Sequence, residues 1–103
     1  MSPQTGKGFI WQTATTSLEA ATFSTFILGL ASTILVHLGE MEEPQTQKRE
    51  IQLPLARQCL DFLGILYDKT QGNLSTEESH LLHQILTDLR LLYVRVQQNP
   101  TPP

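Results

Sequence analysis

The sequence predicts an all-α fold with three principal helices. Three observations carry that prediction. Residues Ala20 to Gly39 contain no Asp, Glu, Lys or Arg and are bounded by Glu19 and Glu40; an apolar run of that length has the scale of a helix. Leu82, Ile85, Leu86, Leu89, Leu92, Tyr93 and Val96 recur with the 3.6-residue period of one helix face. Ser75 and Glu78 stand three apart just ahead of that pattern, the spacing of a capping box.

Helix 1 is expected to begin near Ser17, an N-cap residue with Glu19 in the first turn, where the macrodipole favours acid. It should end at Gly39, the residue type that takes the left-handed C-terminal position. Placed at about 100° per residue, the side chains divide into two faces. Phe23, Phe26, Ile27, Leu30, Ile34 and Leu38 make a bulky stripe. Ala21, Thr25, Gly29 and Thr33 make a ladder of small residues nearly opposite, with Ser32 beside it and Leu28, Ala31 and Leu35 between. Small residues let another helix backbone approach closely. Glycine inside a helix costs ~1 kcal/mol against alanine, so Gly29 points to a packing reason; the plainer alternative is that it is tolerated. A helix that is apolar nearly all round must be covered on every side, which two further helices do not obviously achieve. His37, near the end of helix 1, is placed to bond the last carbonyls and to gain from the dipole.

Residues 40–52 form a charged connector in which Pro44 breaks any helix and acid gives way to base at Lys48 and Arg49. It reads as a solvated loop with a short extended piece around Arg49–Leu53. Helix 2 opens at Leu53–Pro54, with proline in a favoured first-turn position, and stops at Gly72. Leu55, Cys59, Phe62 and Leu66 lie on one stripe and Ala56, Leu60, Leu63 and Tyr67 on the adjacent one, a face broader than one neighbour needs. The compact link Gly72–Ser75 makes helices 2 and 3 an antiparallel hairpin. Helix 3 should run to about Val96, with Leu81, Leu91 and Val94 outside its main stripe. The organisation is therefore a disordered tail over 1–16, a helical domain over 17–97 and a disordered proline-rich tail over 98–103. Phe9, Ile10 and Trp11 interrupt the first tail, either folding back on the domain or docking another protein.

Composition removes several function classes. Seven basic against ten acidic residues give a net charge of −3, with no electrostatic footprint for nucleic acid or for acidic lipid. Trp11, Tyr67 and Tyr93 are not interleaved with a basic cluster, as a single-strand nucleic-acid surface would require. Charged residues make up 17% of the chain, below the usual quarter, which suggests a buried interface. The single cysteine, Cys59, excludes an internal disulfide framework and fits a reducing compartment. Lys7 is far from the apolar run and no cleavage pattern follows it, so no secretory signal is expected.

Chemistry is sparse. His80 and His83 share a helix face at i, i+3, but a zinc site needs more ligands, which Cys59 and nearby acids could supply only through tertiary coincidence; Glu77 and Asp88 read as surface acids. Asp61, Asp68 and Asp88 alternate with Arg57, Lys69 and Arg90 as on solvated faces, with Arg57 and Asp61 spaced for an i, i+4 pair. Cys59 lies on an apolar stripe and reads as a small core residue. An enzyme would have to draw on Arg57, Lys69, His80, His83 and Tyr93, and nothing in their spacing favours it. No phosphate loop or dinucleotide fingerprint is present.

Three segments carry a resemblance: FSTFILGLASTILVHLGE, LPLARQCLDFLGILYDKTQGNLSTEE and LLHQILTDLRLLYV. In these the chain resembles a bacterial family of domains of unknown function, DUF1844. The matching positions are His37, Gly39, Pro54, Arg57, Gln58, Lys69, Thr70, Gly72, Asn73, Leu74, Arg90 and Tyr93. The resemblance implies a small, all-helical bacterial protein, and it carries over no activity, cofactor, substrate or active-site residue.

The sequence therefore leads to an interaction, scaffolding or regulatory module without catalysis. Its expected partner is itself, as a homodimer, or another protein. Helix 1 would lie at the interface, with Ala21, Thr25, Gly29, Ser32 and Thr33 against the partner. No catalytic residue, metal, cofactor, small-molecule ligand or nucleic acid is expected, and the cytoplasm is the expected location. The alternative is a protein of the inner membrane with residues 20–39 as one span, since about 20 mostly apolar residues suffice to cross. Against it stand Thr22, Ser24, Thr25, Ser32, Thr33 and His37 within the run, its acidic flanks, and the lack of an aromatic belt or adjacent Lys/Arg.

Overall fold

A computed structural model describes residues 21–99. The expectations placed on the two tails, on Phe9–Trp11 and on the Ser17 cap lie outside the described residues. Helix α1 spans Phe23–His37, α2 Leu53–Lys69 and α3 Thr76–Gln98. The fold is all-α, as the periodicity indicates.

Helix α1 starts several residues later than expected, because Thr22 takes the cap. The Thr22 hydroxyl accepts from the Thr25 N–H and the Thr25 hydroxyl accepts from the Thr22 N–H, each at 3.0 Å. This is a capping box built from two threonines, which satisfies two of the four free N–H groups that every helix start leaves. At the other end Gly39 takes φ +78°. The Glu40 N–H reaches the Leu35 carbonyl at 2.9 Å and the Gly39 N–H reaches that of Val36 at 3.0 Å, a Schellman ending. The Leu38 N–H bonds the Ile34 carbonyl and the Gln52 N–H bonds that of His37 at 2.7 Å. All four terminal carbonyls of α1 are thus held by backbone donors, and the expected service of the His37 ring is taken by these.

The Gln52 bond belongs to a single antiparallel pairing of Leu38 with Ile51, which is the extended piece foreseen near Arg49–Leu53. It joins the end of α1 to the start of α2, so α2 runs back along α1. Between them the Glu43 carboxylate accepts from the N–H groups of Gln45 and Thr46 and shapes an exposed loop. Helix α2 carries Pro54 in its first turn and ends at Lys69, with Gly72 at φ +87° in the turn beyond. Ser75 and Glu78 form the foreseen capping box: the serine hydroxyl accepts at 3.1 Å and the carboxylate at 2.9 Å. Helix α3 runs two residues past Val96.

Helices α2 and α3 are antiparallel neighbours. Three cross-contacts fix their register. Arg57 lies beside Tyr93, the Arg90 guanidinium lies over Gly64, and the Tyr67 and His83 rings meet at 6.4 Å. Partner numbers fall along α3 as they rise along α2.

The core draws on all three helices. Ile27, Leu28, Ala31, Ile34, Leu35 and Leu38 meet Ala56, Leu60 and Leu63 and Leu82, Ile85, Leu86, Leu89 and Val96; no polar side chain is buried among the described residues. Each large aliphatic side chain fully removed from water contributes about 1.5–3 kcal/mol. The buried face of α1 is therefore rotated from the bulky stripe read in the sequence. Leu28 and Leu35 go in, Phe23 and Leu30 are half-buried, and Phe26 turns out. The reason is that α1 is apolar on both flanks, so position in the bundle, not periodicity, chooses its inner face.

Helix α1 is shorter than the span expected over residues 20–39. Fifteen helical residues reach about 22 Å, short of the ~30 Å hydrocarbon core. No helix among the described residues is long and apolar enough to cross a membrane.

Candidate interaction surface

The outward face of α1 carries Thr22, Phe26, Gly29 and Thr33. A Cβ added at Gly29 would meet nothing within 4 Å. The hydroxyls around it are spent inside the helix: Ser32 donates to the Leu28 carbonyl at 3.1 Å and Thr33 to the Gly29 carbonyl at 3.2 Å. Thr25 likewise donates to the Thr22 carbonyl at 3.0 Å. What faces outward is then mostly methyl groups and bare backbone, with no formal charge from Phe23 to Val36. Of the five residues read as an interface, Thr25, Gly29 and Thr33 form one row on α1. Ser32 sits half-buried at its flank, and Ala21 lies before the cap, outside the helix.

Beside Gly29, Phe26 stands 53% exposed, its ring 6.4 Å from that of Phe23. On α2, Leu55 is 43% exposed, Phe62 52% and Ile65 55%. Between them lie Cys59 and Leu66, half-buried against the core. Arg57 and Gly64, turned to α3, lie on one side of the core row Ala56–Leu60–Leu63; Leu55 and Phe62 lie on the other, the side of α1. Phe26 and Phe62 are about equally far along their helices from the Leu38–Ile51 pairing, so they share one end of the α1–α2 pair. Sequence reasoning did not assign these α2 residues to a surface. Their signal was the excess apolar width of helix 2, which is what remains uncovered once α1 and α3 are in place. On α3, Leu91 is 62% exposed and Val94 46%.

The polar candidates do not converge. Arg57 pairs with Asp61 at 3.4 Å, both largely exposed. The Tyr93 hydroxyl, and then the Asp61 carboxylate, hold the guanidinium more firmly protonated than usual. His83 packs on Tyr67 about ten residues, or about 15 Å, further along α2. His80 and Lys69 are exposed near the hairpin turn. Burial pushes the Cys59 thiol up, as for a small apolar core residue. Among the described residues no three His, Cys, Asp or Glu side chains stand close enough to hold one metal ion.

Neither the curated proteins nor the solved structures include a match to this chain. A family model does match, over residues 20–95, the stretch that holds all three helices except the last turn of α3. The chain thus belongs to the family described as Domain of unknown function (DUF1844).

Proposed function

We propose that this chain is a small bacterial interaction module of the cytoplasm, serving as a scaffold, adaptor or regulator without catalysis, and that it works as a homodimer joined through the outward face of α1. The observation that carries this reading is the state of that face. Gly29 is open, and the neighbouring hydroxyls are already bonded to their own helix, so a second helix can lie close without stranding a polar group. Phe26 stands one turn from Gly29, and a two-fold axis would set each Phe26 over the other copy's bare glycine backbone. No cofactor, metal or nucleic acid enters this role.

Light scattering on the intact chain tests it. The Gly29→Leu chain should fall to half the mass of its parent with its helical circular dichroism unchanged, because the added side chain points into space the fold itself leaves free. A mutant with the same mass as its parent removes the α1 contact.

A further inference from the structure

The seam between α2 and α3, on the side of α2 turned away from α1, gathers two guanidiniums over one stretch of helix. Arg57 gives its Nε–H to Asp61 at 3.4 Å and lies against the Tyr93 hydroxyl. Arg90 lays its Nη2 3.1 Å from the point where a Cβ of Gly64 would stand. Asp61 and Gly64 are three apart on α2, a spacing that puts neighbouring side-chain positions about 5–6 Å from each other. Arg90 and Tyr93 have the same spacing on α3. We propose that Arg57, Arg90 and Tyr93, over the bare backbone at Gly64, form a binding site for a phosphoryl group carried by a small molecule. The site is independent of the homodimer reading and uses none of its residues.

Three observations support an anion here. The first is spare donor capacity. Arg57 spends its Nε–H on Asp61 and keeps terminal N–H groups, and the Tyr93 hydroxyl, having accepted from Arg57, keeps its own proton to donate. Arg57 with Asp61 is the one ion pair among the described residues, so Arg90 has no carboxylate there to hold it. The second is local charge. Residues 53–60 and 89–98 lie side by side in the antiparallel pair and contain Arg57, Arg90 and Arg95 with no acid, in a chain whose net charge is −3. Asp61 offsets one of these cations, and Asp88, two residues before Arg90, points to the other side of α3. The excess positive charge left on the seam draws anions. The third is Gly64. Glycine within a helix is disfavoured, and here the space of its missing side chain is where Arg90 lies. A larger residue would push that guanidinium away from α2 and out of reach of Arg57. A carboxylate brings two oxygens in one plane. A phosphoryl group brings three, spread around phosphorus, which suits donors arriving from α2, from α3 and from the phenol, and the arginine fork is fitted to it.

An NMR titration of the isotope-labelled full chain with inorganic phosphate, at constant ionic strength, tests the site. The Gly64 amide and the Nε–H signals of Arg57 and Arg90 should move together along one saturating curve. Arg57→Gln and Arg90→Gln should each weaken that curve by at least about tenfold, the loss of one charge-assisted contact. Both side chains are exposed, so the helical circular dichroism should stay parental and report intact folding. Gly64→Leu, which removes no charge and favours the helix, should weaken binding as Arg90→Gln does. Arg95→Gln removes the same charge from another side of α3 and should bind as the parent does. Shifts that never saturate, or an equal loss in Arg95→Gln, would reduce the effect to general attraction between charges and overturn the site. Parental affinity in Gly64→Leu would show that the seat over the glycine is wrong. Acetate saturating the same signals as tightly as phosphate would make the ligand a carboxylate and overturn the phosphoryl assignment.

Discussion

At Gly39 the backbone turns to φ +78° with the Ile51 side chain packed over it, and a Cβ would stand 2.8 Å from Ile51 Cγ1. Two constraints therefore coincide: a left-handed conformation that costs an L-residue about 1–2 kcal/mol, and a clash with a branched side chain held by the Leu38 pairing. Gly39→Ala should lower stability by at least about 2 kcal/mol. In urea titration this should appear as an earlier midpoint at unchanged slope. Gly72, at φ +87°, has the conformational constraint without the clash. The two positions look equivalent in sequence, each a glycine after a helix, and differ only through what the fold brings over them.

Among the elements, α3 was the most legible and α1 the least. The α3 start is written in local chemistry, since Ser75 and Glu78 meet within one turn whatever the rest of the chain does. Ser75→Ala should therefore cost ~1 kcal/mol, read as a lowered melting temperature, with Glu78→Ala moving the same way. The Thr22 cap is not legible because its box uses Thr25 where the usual pattern has Glu or Gln. The end of α1 was legible because Gly39 supplies the left-handed residue by its identity alone. The inner face of α1 was not, because apolar side chains on both flanks give periodicity nothing to choose with. The same limit hid the open patch on α2. Leu55 and Phe62 look as core-bound as Leu60 and Leu63, until the Arg57–Tyr93 and Arg90–Gly64 contacts fix which side α3 occupies. Those contacts join residues far apart in the chain, and no spacing within one helix encodes them.

For the molecule as a whole, fold and assembly make separable predictions. A dimer that forms from folded copies makes the melting temperature rise with protein concentration. Scanning calorimetry over a hundredfold range should show that rise for the parent and a flat dependence for Gly29→Leu. The fourteen buried apolar side chains come from all three helices, so no helix is an appendage and unfolding should be a single step. One junction has a further use. Leu38 with Ile51, and the His37 carbonyl with Gln52, tie the two strands of the connector together at its base, so the residues from Glu42 to Glu50 form a closed handle outside the core. Doubling the length of such a handle costs only about 0.6 kcal/mol in closure entropy. A fluorescent reporter or affinity epitope grafted there, near Gln45 and Thr46, would ride on the molecule while leaving its helices and their open faces untouched.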